Sequence, residues 1–62
     1  MFELYAIFNP YGTYFYRIYE YNDQDDKKKI VTDLISHQDV TGYVCTCNKE
    51  DLETTLRNLR GF

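Results

Sequence analysis

A specific turn motif separates two apolar, aromatic runs in the first third of the chain. The motif reads Asn-Pro-Tyr-Gly-Thr at residues 9–13. Asn suits the first position of a type I turn, Pro presets φ at the second, and Gly12 accepts the left-handed conformation that closes a three-residue loop with a bulge. The flanking runs, FELYAIF at 2–8 and TYFYRIYEY at 13–21, are rich in residues that fit a pleated sheet. The motif therefore predicts a β-hairpin as the first structural unit.

The next segment predicts a helix followed by a third strand. Asn and acidic residues at 22–26 suit the first turn of a helix. Apolar residues then recur at helical spacing and predict a helix from about Asp25 to His37. These apolar residues are Ile30, Val31, Leu34 and Ile35. The run VTGYVCTC, from Val40 to Cys47, predicts the third strand.

The last segment predicts a short second helix. Its apolar stripe consists of Leu52, Leu56 and Leu59. Asn48, with Asp51 three residues later, resembles a capping box at the start of this helix. Gly61 is the candidate C-cap at its end.

These elements predict an α+β fold of order β-β-α-β-α in a single small domain spanning residues 1–62. A right-handed crossover from the second strand to the third makes these two strands parallel. The first strand is the most continuously apolar, which suits a central position and gives the sheet order 2-1-3. Both helices are expected to pack on one face of the three-stranded sheet, so that the other face stays open.

The composition favours a protein partner over a nucleic acid. Of the 62 residues, 44% are apolar and 18% aromatic, which is enough for one core. The net charge is −3, whereas surfaces that bind nucleic acid are usually basic; the same charge also serves solubility. The sequence has no secretory signal at its N-terminus, no apolar run of membrane-span length, and only two cysteines. We therefore expect a cytoplasmic protein.

The residues that could support catalysis or metal binding do not form a recognisable site. Cys45 and Cys47 lie two residues apart, and His37 adds a third candidate ligand where a structural zinc site needs four. Neither a GxSxG nucleophile motif nor a phosphate-binding glycine motif is present. Packing is the expected role of both cysteines, and stabilisation of a helix C-terminus that of His37. The sequence therefore predicts a non-enzymatic protein without a metal or cofactor.

The predicted hairpin register gathers aromatic side chains on the open face of the sheet. With Asn9 opposite Thr13, the face that meets the helices carries Phe2, Leu4, Ala6, Phe8, Tyr14, Tyr16 and Ile18. The opposite face carries Glu3, Tyr5, Ile7, Phe15, Arg17 and Tyr19. Because this second face includes the charged residues, we expect it to face solvent and to bind a partner. The predicted contact residues are Tyr5, Ile7, Phe15, Arg17 and Tyr19, with Tyr11 at the hairpin tip as an extension.

An open aromatic face of this kind is compatible with several functions. The leading prediction is a protein-binding module that inhibits or modulates a larger intracellular protein. A short chain rich in Tyr, Asn and Asp is typical of phage or mobile-element accessory proteins, which commonly act on a host protein in this way. Single-stranded nucleic-acid binding by base stacking, and imitation of DNA by the acidic residues, are the alternatives. The face could also close a homodimer, a partner could add a strand beside strand two, or the aromatic pairs could serve sheet stability alone.

Overall fold

The predicted hairpin is present, and its first strand lies at the centre of the sheet. A computed structural model describes residues 1–61 of the protein. Strand β1 spans Phe2–Phe8, β2 spans Phe15–Tyr21 and β3 spans Tyr43–Cys47. The sheet order is β2-β1-β3, and β1 is antiparallel to both neighbours, so β2 and β3 run in the same direction. The predicted α+β class and strand order are confirmed.

Helices fill the segments between and after the last two strands. Helix α1 spans Gln24–Ser36 and α2 is the single turn Gln38–Thr41. Helix α3 spans Leu52–Arg60 and follows a 3-10 turn at Lys49–Asp51. Helices α1 and α3 correspond to the two predicted helices, and α3 ends at Gly61 in the left-handed conformation as expected.

The starts of the two long helices differ in their caps. Asp23 accepts a hydrogen bond from the backbone N–H of Asp26 at 2.9 Å, and the Asp26 carboxylate accepts one from the N–H of Asn22 at 3.3 Å. The first bond satisfies a donor that the first turn of α1 leaves free, and the second ties the residue before the N-cap to that turn. Asn48 makes no side-chain cap; its backbone carbonyl instead accepts a hydrogen bond from the N–H of Asp51 at 3.1 Å. The predicted capping box before α3 is therefore wrong.

The third strand begins later than its sequence pattern predicts. Val40, the expected first residue of the strand, lies in α2. The N–H groups of Thr41 and Gly42 donate to the carbonyls of His37 and Gln38 at 2.9 and 2.8 Å, which completes one helical turn. Gly42 then ends the turn with φ at +66°, and β3 starts at the next residue.

The hairpin register differs by one residue from the predicted one. Phe8 pairs with Phe15, so the connection runs from Asn9 to Tyr14 and is longer than the predicted three-residue loop. Gly12 does take the left-handed conformation, with φ at +84°. The reason for the longer loop is that the Asn9 N–H donates to the carbonyl of Gly42 at 2.8 Å, so Asn9 bonds to the β3 side of the sheet.

This one-residue shift moves every side chain of β2 to the face opposite the predicted one. Paired residues of antiparallel strands point to the same face. One face, called the α1 face, carries Leu4, Ala6, Phe8, Phe15, Arg17 and Tyr19. The other, called the α3 face, carries Tyr5, Ile7, Tyr16, Ile18, Cys45 and Cys47.

Helix α1 covers the α1 face. Leu34 is buried together with Ala6 and Phe8 in the core cluster. Ile30 of α1, Tyr19 of β2 and Tyr43 of β3 pack against this cluster. The rings of Tyr43 and Phe8 meet edge to face, with centroids 6.3 Å apart.

Helix α3 covers the opposite face. Leu52 and Leu56 share a cleft with Tyr16, and Thr55 shares a second cleft with Cys47. Beneath them Ile7 is 0% exposed. The prediction that both helices pack on one face is therefore wrong. Its physical reason is that all five residues from Leu4 to Phe8 are buried, and alternate side chains of a strand need cover on both faces.

Substitution of Gly42 tests the contact that sets the register. A Cβ at Gly42 would lie 2.8 Å from the N and Cα atoms of Pro10, whereas a Cβ at Gly12 would meet nothing within 4 Å. Both positions have positive φ, which costs about 1–2 kcal/mol for a residue with a side chain. Urea unfolding should therefore show a larger loss of stability for Gly42→Ala than for Gly12→Ala. Equal losses would contradict the close packing of the hairpin loop on Gly42.

A second pair of substitutions tests the cover that α3 provides. Ile7→Ala should lower the free energy of unfolding by about 2–5 kcal/mol, because it removes a fully buried side chain. Ile35→Ala on α1 is the matched control, since Ile35 is 56% exposed, and should change it by less than about 0.5 kcal/mol. Both values follow from thermal or urea denaturation monitored by circular dichroism. If Ile7→Ala lowered the free energy of unfolding no more than Ile35→Ala does, the α3 face would be open to solvent.

Candidate partner-binding site

The six residues predicted to bind a partner do not form one cluster. Tyr5 and Ile7 lie on the α3 face and are buried, with Tyr5 6% exposed. Phe15, Arg17 and Tyr19 lie on the α1 face. The predicted open aromatic face is therefore wrong, because it depended on the hairpin register that the Asn9–Gly42 hydrogen bond changes. The homodimer predicted through that open face loses its surface for the same reason.

Tyr5 has a structural environment. Its hydroxyl donates to the Glu3 carboxylate at 3.1 Å, and its ring is tilted against that of Tyr16 with centroids 5.7 Å apart. Burial, and then the hydrogen bond and negative charge of Glu3, raise the pKa of the Tyr5 hydroxyl. Tyr5 thus stays neutral and packed beneath α3, where a partner cannot reach most of its surface.

The other four predicted residues share an open groove at the turn end of the α1 face. We call this feature, about 510 Å³ in volume, the hairpin groove. Its predicted members are Tyr11, Phe15, Arg17 and Tyr19. Its other lining residues are Phe8, Pro10, Tyr16, Leu34, Val40 and Thr41. The structure therefore brings most of the predicted contact residues together, on a different face from the expected one.

Two backbone segments form the walls of the hairpin groove and are joined to each other. The hairpin loop contributes Pro10 and Tyr11, and α2 contributes Val40 and Thr41. The hydrogen bond from Asn9 to the carbonyl of Gly42 connects the two walls at their base. Because this tether is a backbone contact, the groove exists before any partner binds, which lowers the entropy that binding must overcome.

A cation lies beside the aromatic floor of the groove. The guanidinium carbon of Arg17 is 5.8 Å from the centroid of the Phe8 ring, within the range of a cation–π interaction. The interaction holds the Arg17 side chain against the sheet. Arg17 thereby provides planar hydrogen-bond donors next to apolar surface, a combination that is frequent where binding energy concentrates.

Two strongly exposed apolar side chains flank the groove. Tyr11 in the loop is 88% exposed and Val40 in α2 is 83% exposed. The sequence pattern predicts Val40 to begin a strand, so the predicted site does not include it. The signal that could have placed it is Gly42, since a glycine in this position commonly ends a helix and so marks the preceding residues as helical.

A second exposed feature follows the outer edge of β2. No other strand within residues 1–61 pairs with this edge. Phe15, Tyr16 and Ile18 are about half exposed along it. Unpaired backbone groups beside apolar side chains are what a partner strand needs in order to add to a sheet.

The two cysteines lie under α3 and not in an accessible reactive site. Burial raises the pKa of both the Cys45 and the Cys47 thiol, and Cys47 raises the pKa of Cys45 further. At Cys47 the nearby Thr55 lowers the pKa and the negative charge of Asp51 raises it, but burial is the largest effect and the pKa is raised. A neutral thiol is a poor nucleophile and a poor metal ligand. Among residues 1–61, His, Cys, Asp and Glu side chains do not gather into a group of three or more that could hold a metal ion.

Comparison with protein-family models, with curated proteins and with solved structures finds no match to this chain. In the described part of the chain, no helix has both the length and the apolar character that a membrane crossing requires. The hairpin groove and the β2 edge are therefore the two surface features that indicate a function.

The cysteine environment predicts a pH dependence of stability. A thiol whose folded-state pKa lies above its ordinary value near 9 stabilises the fold while it is protonated, and this contribution is lost as pH rises through the folded-state pKa. The free energy of unfolding should therefore fall above about pH 9. In a Cys45→Ala/Cys47→Ala variant the fall should be smaller, because the two thiols no longer contribute to it. Identical pH profiles for the two proteins would contradict the raised thiol pKa values.

Proposed function

We propose that this protein is a non-enzymatic binding module that attaches to a larger intracellular protein through the hairpin groove and inhibits or modulates it. The observation that carries the proposal is the concentration of exposed apolar side chains around one preformed groove. Tyr11 and Val40 project from its two walls, and Phe15 is half exposed beside them. Exposed apolar side chains gathered in this way are characteristic of an interaction site.

The chemistry of the groove favours a protein partner. Its lining is aromatic and aliphatic, and its charged member is Arg17. The alternative of base stacking relied on Tyr5, Phe15 and Tyr19 on one open face, but Tyr5 is buried and lies on the other side of the sheet. A net charge of −3 also opposes the approach of a phosphate backbone.

The groove indicates what the partner must present. An apolar or aromatic side chain would enter between Tyr11 and Val40, and a carbonyl or carboxylate would accept hydrogen bonds from Arg17. A specific interface usually buries about 800 Å² on each side, roughly one sixth of the 4714 Å² surface of this protein. An interface of that size would extend beyond the groove to neighbouring parts of the hairpin and α2.

A stoichiometric mode of action agrees with the size and composition of the chain. We expect the module to act by occupying a surface of its target, in the way that small accessory proteins of phages and mobile elements act on host proteins. Free, half-buried cysteines suit the reducing cytoplasm, where we expect the target.

The test is affinity capture with a double substitution in the groove walls. Tyr11→Ser/Val40→Ser removes the two apolar side chains and should leave folding intact, since both are more than 80% exposed. From nuclease-treated lysate of the native host, the wild type should retain a stoichiometric protein. The variant should retain at most about one tenth of the amount of this protein that the wild type retains.

The control variant is Ile35→Ser/Val44→Ser, which removes exposed apolar side chains away from the groove. It should capture the target as well as the wild type does, and circular dichroism should show that all three proteins are folded. Equal capture by the groove variant would refute the groove as the binding site. Recovery of nucleic acid alone from lysate without nuclease, and of nothing from treated lysate, with affinity that falls steeply with added salt, would instead support the nucleic-acid alternative.

A further inference from the structure

The two edges of the sheet differ in how well they are protected. Strand β3 is five residues long, and its ladder to β1 is interrupted, since Ile7 pairs with Cys45 but Phe8 pairs with Tyr43. Val44 is thus an extra, bulged residue that disrupts the edge. Strand β2 is seven residues long, pairs with β1 without interruption, and contains neither proline nor lysine. The β2 edge therefore lacks the proline, lysine and bulge that commonly prevent strands of different molecules from pairing, and its charged residues are Arg17 and Glu20.

The exposed side chains of β2 also indicate contact along its edge. Phe15 is half exposed on the α1 face, and Tyr16 and Ile18 are half exposed on the α3 face. The exposed apolar side chains are therefore grouped along one strand, β2, and not on one face of the sheet. A second strand placed beside β2 would bring neighbouring side chains to both faces at once.

We infer that β2 pairs antiparallel with β2 of a second copy of this chain, about a two-fold axis at Ile18, to form a continuous six-stranded sheet. In this register the pairs across the axis are Phe15–Tyr21, Tyr16–Glu20, Arg17–Tyr19 and Ile18–Ile18. Ile18 is the middle residue of β2, so the two strands overlap along their whole length. The hairpin groove remains on each copy, and this inference does not depend on the proposed function.

The charges of β2 agree with this register. Arg17 lies opposite a Tyr19 ring, which a guanidinium can stack against, and Glu20 lies opposite Tyr16, whose hydroxyl can donate to the carboxylate. A shift of two residues in one direction sets Arg17 against Arg17 of the other copy. A shift of two residues in the other direction sets Ile18 against Glu20. A two-fold pairing that neither opposes like charges nor sets Glu20 against the aliphatic Ile18 therefore centres on Ile18.

The expected dimer is small and reversible. A seven-residue strand is about 23 Å long, and pairing along one edge falls in the low range of interface areas. We therefore expect dissociation in the micromolar range, on the order of 10 μM. Sedimentation equilibrium between about 1 and 500 μM should show an average mass that rises from one chain to two and does not exceed two.

Substitution of Ile18 tests the two-fold axis directly. Ile18→Lys and Ile18→Glu each place two like charges opposite each other at the axis, and each variant should stay monomeric at concentrations where the wild type is dimeric. An equimolar mixture of the two variants should recover the dimer, because opposite charges then meet. Ile18 is 54% exposed, so both variants should fold, which circular dichroism checks.

Ile35→Lys is the matched control, since Ile35 is exposed to a similar extent but lies on α1. It should dimerise like the wild type, and so should Tyr11→Ser/Val40→Ser, whose substitutions lie in the groove. A wild type that is monomeric at 500 μM, an Ile18→Lys variant that still dimerises, or a failure of the mixture to recover the dimer would overturn the inference. Loss of the dimer in the groove variant would also overturn it and would locate self-association in the groove.

Discussion

The burial of five consecutive residues in β1 is the constraint on which the rest of the structure depends. Leu4 to Phe8 are all buried, and their side chains alternate between the two faces of the sheet. The sheet therefore needs a helix on each face, and β1 needs a strand on each side to satisfy its backbone. The described residues supply this with α1, α3, β2 and β3. Because a chain of this length has few residues left over, the outer edge of β2 and the turn end of the α1 face keep apolar surface in contact with solvent.

One long-range contact links the register of the hairpin to the shape of the groove. Asn9 donates to the carbonyl of Gly42, and the backbones of Pro10 and Gly42 approach so closely that a Cβ would not fit between them. This contact extends the hairpin loop and thereby determines which β2 side chains face α1. It also places the loop beside α2, which creates the two walls of the hairpin groove. The same contact thus sets the hairpin register and builds the candidate binding site.

Local patterns in the sequence were enough to predict the hairpin, the strand order and the two long helices, since turn residues and apolar spacing specify these elements. The register was not predictable in this way, because it depends on a contact between Asn9 and Gly42, which are far apart in the chain. A shift of one residue exchanges the two faces of a strand, so this error divided the predicted site and left Tyr5 and Ile7 buried. The sequence did contain a signal that helices cover both faces of the sheet. The run FELYAIF is nearly continuous in its apolar character, as in strands buried on both sides, and does not alternate like a strand with one open face.

Arg17 lies on the open edge strand β2 and contacts Phe8 in the core. The interaction with Phe8 draws its guanidinium towards the α1 face, so the charge does not extend straight out from the β2 edge. A charged side chain on an edge strand usually discourages pairing, but one held against its own sheet leaves the edge backbone accessible. The charge still limits which strand can be accepted, because any register that sets it against another cation is unfavourable. In the proposed dimer Arg17 thus selects the register centred on Ile18, while the same side chain provides the hydrogen-bond donors of the hairpin groove.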